Sequence, residues 1–152
     1  MLLWRLVNQN PHFLAHVLKH REVTAITVPV LYLMFDARRD LTKVGLVHIC
    51  TYTLLVLSGH RRFAVALNQP LKVRLPLPDL PSFTGSHADL LVVVLHKMIV
   101  GGYEKLDTLY NCFLTIIANV SAYCKSLCMV SSVKLVNLFE LFSSARFLYA
   151  AR

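Results

Sequence analysis

Two stretches of the chain, residues 41–57 and 90–100, are apolar almost without interruption and constrain its fold more than any other feature. A helix that is apolar around most of its circumference is stable only inside a large core or a membrane. Hydrophobic residues make up 56% of the chain and charged residues 16%, whereas soluble domains average about 45–50% and 25%. The sequence therefore predicts either membrane spans or a segment whose apolar faces pack against other parts of a larger protein.

Polar side chains argue against membrane spans in both stretches. A spanning helix needs about 20 mostly apolar residues, and the first stretch is interrupted by His48, Thr51 and Thr53. In the second stretch Lys97 follows His96, and a lysine at the centre of a span costs about 2.5–3.5 kcal/mol. We therefore prefer the segment of a larger protein, and an integral membrane protein with short hydrophobic helices is the alternative.

Helix signals divide the first half of the chain into helices with short connections. Asn10 followed by Pro11 predicts the start of a short helix, with the asparagine as its cap. A second helix is predicted at residues 22–36. Asp40 is in position to cap a third helix at residues 41–57.

In the second half, Ser86 and Asp89 have the spacing of a capping box, which predicts a helix that ends at Gly101. An amphipathic helix is predicted from residue 106. A last helix is predicted at 125–142, mostly apolar, with a narrow polar stripe of Lys134, Asn137, Glu140 and Ser144.

These helices predict an all-α fold. Several of them are apolar on more than one side, as in stacked antiparallel helices, so we expect a single segment, residues 1–152, of a solenoid similar to armadillo or HEAT proteins. The chain has no short internal sequence repeat, and the solenoid is inferred from helix packing alone.

Prolines change the character of the chain between residues 69 and 85. Pro70, Pro76, Pro78 and Pro81 exclude regular helix and predict an extended surface loop. A loop of this length is either functional or an insert. We interpret it as an accessible strap that docks a partner, or as a disordered insert.

The net charge of +8 would suit nucleic acid or anionic lipid if the basic residues were concentrated on one element. They fall instead into short groups: Arg38, Arg39 and Lys43, then Arg61 and Arg62, then Lys72 and Arg74. No aromatic residues alternate with them as in proteins that bind single strands. The sequence therefore predicts a scattered, solvated basic surface and no nucleic-acid partner.

Four cysteines, Cys50, Cys112, Cys124 and Cys128, lie within apolar helical patterns. This pattern predicts free thiols in a reducing, cytosolic compartment. Cys124 and Cys128 are predicted to share one face of a helix, without the C-x-x-C spacing of zinc or thioredoxin motifs. We expect them to pack in the core.

Three histidines, His12, His16 and His20, are spaced to share one helix face. Two such imidazoles can bind one metal ion, but no carboxylate or thiolate nearby completes a tetrahedral set, and we interpret them as a stripe that faces solvent. A metal-dependent enzyme that uses this stripe is a third and weaker hypothesis.

Ser86 lies close to His87 and Asp89 in the sequence, but a nucleophile elbow needs G-x-S-x-G after a strand. Helix capping explains Ser86 and Asp89 better. The sequence therefore predicts a protein that is not an enzyme, with no catalytic residue, metal ligand, cofactor or small-molecule substrate.

Several collinear stretches carry a likeness to a known family. They are Asp36-Ala37-Arg38 through Val44-Gly45-Leu46, Leu57-Ser58-Gly59 with Phe63 and Leu67-Asn68, Thr84-Gly85-Ser86-His87-Ala88-Asp89-Leu90-Leu91, His96-Lys97, Leu114-Thr115-Ile116-Ile117 and Asn119-Val120-Ser121. On these stretches the chain resembles the high-temperature-induced dauer-formation protein family, which is related to dymeclin. The likeness covers nearly the whole chain, which is an interior minority of a full family member.

The resemblance implies a cytoplasmic, peripheral Golgi protein that is a non-catalytic scaffold in trans-Golgi and dense-core vesicle trafficking. The implied partners are proteins, the other helices of the full-length family fold and, peripherally, the Golgi membrane. Family members carry an N-myristoylated glycine at position two, where this chain has Leu2. We therefore expect that anchor to be absent and Met1 to be an internal or a mispredicted start.

Overall fold

The computed structural model describes residues 2–19, 23–72, 84–101 and 104–144. These residues form eight α-helices: α1 (Leu2–Gln9), α2 (Pro11–Lys19), α3 (Val23–Ala37), α4 (Val44–Ser58), α5 (Arg61–Ala66), α6 (His87–Gly101), α7 (Tyr110–Ser121) and α8 (Met129–Ser143). Two short 3₁₀ helices, Leu41–Lys43 and Glu104–Leu109, precede α4 and α7. The described residues contain one isolated bridge, Pro70 to Ser86, and no named strand. The predicted all-α class is confirmed, and the solenoid-like stacking stays a prediction.

The predicted caps lie at the helix starts. Asn10 Oδ1 accepts a hydrogen bond from Phe13 N at 3.0 Å, as expected for the start of α2. Asp40 Oδ1 accepts from Thr42 N at 2.9 Å, and this cap begins the 3₁₀ helix that leads into α4. The local sequence signals therefore set the positions at which these helices begin.

Helix α6 lies at the centre of the fold. It packs against α3, α7 and α8, and its apolar run is buried nearly all round. Phe35 of α3 and Phe113 of α7 are fully buried in the same core. The second apolar stretch of the sequence is therefore covered by helices of this chain.

Helix α4 packs against α1, α3 and α7. Together with the preceding 3₁₀ helix it forms an apolar stretch of 18 residues, Leu41–Ser58, which by length and composition alone is able to cross a membrane. The expectation that His48, Thr51 and Thr53 argue against a span in this stretch is therefore too strict. In the structure 39% of the stretch is buried against other helices, and core helices of soluble proteins meet the same criterion.

The junction of α7 and α8 differs from the prediction. The last helix begins at Met129 rather than at residue 125. Cys124 and Cys128 consequently lie in the connection between the two helices, whereas Cys50 and Cys112 lie in α4 and α7 as predicted. Side chains from other parts of the fold hold this connection, as described below.

The strap predicted at residues 69–85 lies largely outside the described residues, which omit 73–83. Its two ends are described. Leu71 N donates to Gly85 O at 2.9 Å, and His87 N donates to Gln69 O at 3.1 Å. Ala88 N donates in turn to Leu67 O at 2.9 Å. The two ends are therefore fastened side by side at the start of α6.

Candidate interaction surface

Asp89 closes the start of α6. Its Oδ2 accepts a hydrogen bond from Ser86 N at 2.6 Å, and its own N donates to Ser86 Oγ at 3.3 Å. This reciprocal pairing is a capping box, with aspartate in place of glutamate, and the prediction is confirmed. The His87 ring lies elsewhere, with Nδ1 2.9 Å from Gln69 O, so Ser86, His87 and Asp89 are not arranged as a hydrolase triad.

The same carboxylate also holds a second helix. Asp89 Oδ1 accepts from Cys128 N at 2.8 Å, where α8 begins, and Ser131 Oγ donates to Asp89 O at 3.4 Å. Asp89 is only 2% exposed. Burial alone would raise the pKa of this carboxyl, but the hydrogen bonds that it accepts from Ser86 and Cys128 outweigh burial and lower the pKa. The ionised side chain therefore joins the starts of α6 and α8.

Asn68 holds the other end of the α7–α8 connection. Its Nδ2 donates to Tyr123 O at 2.9 Å, and its Oδ1 accepts from Lys125 N at 2.9 Å. The backbone groups that would continue a helix into α8 are used in these contacts. This explains why the connection is not helical although its cysteines continue an apolar pattern.

The histidine stripe is only partly described. His12 and His16 are exposed on α2, as predicted, and His20 lies outside the described residues. Within the described part of the chain, no three His, Cys, Asp or Glu side chains are grouped to hold a metal ion. The four cysteines are free thiols, and burial raises the pKa of the Cys50 and Cys124 thiols.

The outer face of α8 is apolar. Four of its large side chains are exposed: Met129 at 80%, Phe139 at 74%, and Val133 and Val136 at 58% each. The narrow polar stripe predicted for this helix turns partly toward α6, where Asn137 Oδ1 lies 2.8 Å from His96 Nε2. Because Asn137 serves that buried imidazole, apolar residues occupy much of the outward face.

An apolar groove of about 400 Å³ adjoins this face. Its walls come from α7 and α8 and consist of Leu114, Ile117, Leu135, Leu138, Phe139, Phe142 and Ser143. At one side the rings of Tyr110 and Phe142 meet edge to face at 6.2 Å. We call the groove together with Met129 and Val136 the α8 surface. Exposed apolar side chains beside an apolar groove are typical of sites of protein contact.

Comparison with known proteins gives the chain relatives along its whole length. The family model described as Dymeclin, Dyggve-Melchior-Clausen syndrome protein, matches residues 1–152. Protein HID1 of Mus musculus is 52% identical over 151 residues, which are 99% of this chain and 19% of that protein. Protein HID1 of Homo sapiens is 50% identical over 151 residues, with the same shares.

A more distant relative, Protein HID1 of Dictyostelium discoideum, is 35% identical over 148 residues, 97% of this chain and 16% of that protein. The chain thus spans less than a fifth of the length of these curated relatives. No solved structure matches it.

Proposed function

The chain belongs to the Dymeclin family. We propose that it is a non-catalytic helical scaffold segment of a peripheral Golgi protein, and that this protein acts in vesicle trafficking. The family relationship supports the Golgi and vesicle setting. The finer proposal is a role in traffic from the trans-Golgi to dense-core secretory vesicles. The proposed partners are proteins and the other helices of the longer family fold, with no small-molecule substrate.

The α8 surface is the observation that carries the scaffold role. We propose that its occupant is an apolar helix from the rest of the full-length protein, because this chain covers only 19% of the mouse relative. In stacked helical layers, a third helix commonly packs into the groove between two others. Burial of exposed side chains such as Phe139 and Val136 would stabilise that contact by about 1.5–3 kcal/mol each.

A chimera tests this proposal. The matching segment of mouse Protein HID1 is replaced by this chain, with and without Val136→Asp and Phe139→Asp. We expect the parent chimera to be stable and to collect at the Golgi, and the variant chimera to be degraded or to aggregate, because a charge is placed in a contact that excludes water.

The isolated chain provides the control for that experiment. There the same two side chains are 58% and 74% exposed, and at concentrations low enough to keep the parent chain monomeric the aspartates should leave the helix content and the melting temperature nearly unchanged. A variant chimera as abundant and as well localised as its parent would contradict the scaffold role. Restored dense-core cargo secretion in cells lacking the relative tests the finer trafficking role.

The 18-residue apolar stretch Leu41–Ser58 supports an integral membrane protein as the second candidate. The packing of α4 against three helices favours the peripheral protein, because a lipid-facing span would leave that core uncovered. Alkaline carbonate separates the two candidates: a peripheral protein is extracted, whereas a spanning protein stays in the membrane. Flotation on a density gradient distinguishes membrane-bound material from aggregates, and carbonate-resistant protein that floats would replace the peripheral proposal.

A further inference from the structure

Four basic side chains from three parts of the fold line one pocket beside α8. Arg38 and Arg39 follow α3, Lys97 belongs to α6, and Lys134 belongs to α8. The pocket measures about 470 Å³, and its described lining residues include no aspartate or glutamate. The expectation of scattered basic residues is therefore wrong for this group, because helix packing brings distant parts of the sequence together.

A buried imidazole completes the pocket. His96 is only 4% exposed, its Nε2 lies 2.8 Å from Asn137 Oδ1, and its Nδ1 has no hydrogen-bond partner in the structure. Buried polar atoms almost always have a partner. His96 is thus a buried polar residue in the lining of the pocket, with one ring nitrogen that has no partner.

The surrounding charges affect this imidazole. Burial lowers the pKa of His96 most, and Lys134 and Lys97 lower it further, against the opposing effect of the hydrogen bond with Asn137. His96 is therefore neutral at neutral pH. Lys97 and Lys134 lie close enough to disfavour a positive charge on this imidazole.

Helix termini explain part of the cluster without a ligand. Arg38 Nη1 donates to Phe35 O at 2.7 Å, and its guanidinium lies 3.7 Å from the centre of the Phe35 ring. A cation at the C-terminal end of α3 is favourable for the helix itself. Lys134 lies within α8, away from its C-terminal end, so this effect does not account for the position of Lys134.

We propose that the pocket binds a phosphate monoester, carried either by a lipid headgroup or by a soluble organic phosphate. Lys97 and Lys134 supply mobile point charges for phosphate oxygens, and Arg38 and Arg39 add positive charge to the same pocket. The volume suits a phosphorylated headgroup better than a bare ion.

The rim of the pocket is compatible with a lipid. Val100 and Val133 line it and are 55% and 58% exposed, and apolar side chains beside basic ones are typical of surfaces that lie on a membrane. The lipid source rests on the proposed peripheral Golgi location, whereas the phosphate chemistry rests on the pocket alone. The α8 surface is not part of the phosphate test, so failure of one proposal leaves the other standing.

The test compares two double variants of the 152-residue chain with equal loss of charge. Lys97→Gln with Lys134→Gln alters the pocket, and Lys19→Gln with Lys125→Gln removes two exposed charges outside it. The probes are phosphatidylcholine vesicles with phosphatidylinositol monophosphate, vesicles of equal charge with phosphatidylserine, and soluble inositol monophosphate. Flotation measures vesicle binding, and ligand-induced change in melting temperature measures soluble binding and reports folding.

We expect the pocket variant to lose about tenfold or more in affinity and the control variant less than about twofold, because charges that do not touch the phosphate are screened. Preference for phosphatidylinositol monophosphate over phosphatidylserine, with competition by the soluble headgroup, identifies a lipid. Binding of the soluble phosphate without vesicle binding identifies a soluble ligand. Equal loss in both variants, or no binding to any probe by the folded parent chain, would overturn the proposal.

Discussion

At the scale of single residues, the Asp89 carboxylate contributes more than a helix cap. Each oxygen accepts a backbone hydrogen bond from a different helix start, Oδ2 from Ser86 and Oδ1 from Cys128. Removal of the side chain leaves both donors without a partner in a buried site. The structure therefore predicts a larger loss of folding stability than the loss of one helix cap, which is all that the sequence predicts.

We predict that Asp89→Ala lowers the free energy of unfolding by about 2–4 kcal/mol, because a lost cap costs about 0.5–2 kcal/mol at each helix start and buried donors are left unpaired. Asp89→Asn should fall between the parent and the alanine variant, since an amide has one acceptor oxygen for two donors. Chemical denaturation measures all three proteins. An asparagine variant as stable as the parent would show that only one helix end depends on this residue.

The lowered pKa of Asp89 predicts a pH dependence. A carboxyl whose pKa is depressed on folding stabilises the protein above its unfolded-state pKa, near the ordinary value of 3.8, and loses this contribution as pH falls through the folded-state value. We expect the stability difference between the parent and Asp89→Asn to be constant near neutral pH and to shrink below about pH 4. A difference that stays constant down to acid unfolding would contradict this assignment.

The position of the Asp89 carboxylate leaves no room for a side chain at Gly85. A Cβ at this residue would lie 2.9 Å from Asp89 Cγ and would collide with Oδ2. We predict that Gly85→Ala destabilises the parent strongly and the Asp89→Ala variant much less, so that the two changes are coupled. Gly45→Ala is the matched control, because no atom lies within 4 Å of its Cβ, and it should gain up to about 1 kcal/mol in helix propensity. Simple additivity of Gly85→Ala and Asp89→Ala would refute the coupling.

At the scale of elements, backbone hydrogen bonds hold the two ends of the 69–85 loop together without the residues between them. Leu71 and Gly85 are joined by a backbone hydrogen bond of 2.9 Å, and Pro70 pairs with Ser86 in the isolated bridge. A connection between these two points need not be long. The strap interpretation therefore predicts that the loop between them contributes to binding and not to folding.

Replacement of residues 73–83 by a short glycine-serine linker tests this interpretation. The entropy of loop closure changes by only about 0.6 kcal/mol for each doubling of length, so the free energy of unfolding should change by less than about 1 kcal/mol. Thermal denaturation measures the effect, and replacement of an equal length of α6 serves as the destabilising control. A loss of several kcal/mol would mean that the loop packs against the core.

At the scale of the whole molecule, one apolar region of the sequence is buried and another is exposed. The stretch in α6 is covered by α3, α7 and α8, and therefore does not contribute the exposed face that its composition suggests. The α8 surface remains exposed. Self-association of the isolated chain is thus expected through α8 and not through α6.

We predict that the purified chain self-associates and that Val136→Asp with Phe139→Asp shifts it toward monomer, because charge opposes apolar contact between copies. Leu33→Asp is the control, since Leu33 is also exposed, at 43%, but lies in α3. Sedimentation velocity measures the distribution of species. A parent chain that is monomeric at high concentration, or an equal effect of the Leu33 variant, would exclude the α8 surface as the contact.

Local sequence signals were enough to predict the all-α class and the positions at which α2, α6 and the 3₁₀ helix before α4 begin. Those features depend on contacts between residues only a few positions apart, such as Asn10 with Phe13 and Ser86 with Asp89, and short-range contacts are visible in sequence spacing. The sequence likewise predicted buried helices, because an excess of apolar residues can be read from composition alone.

Tertiary structure alone decided where α8 begins, which side of α8 faces solvent and which basic residues meet. These features depend on contacts between distant residues: Asp89 with Cys128, His96 with Asn137, and Asn68 with Tyr123. In each pair a polar side chain from one part of the fold satisfies a backbone or buried polar group of another part, and this requirement overrides the local apolar pattern. No spacing within one helix reveals such pairs, because helix packing sets which residues come within reach of one another.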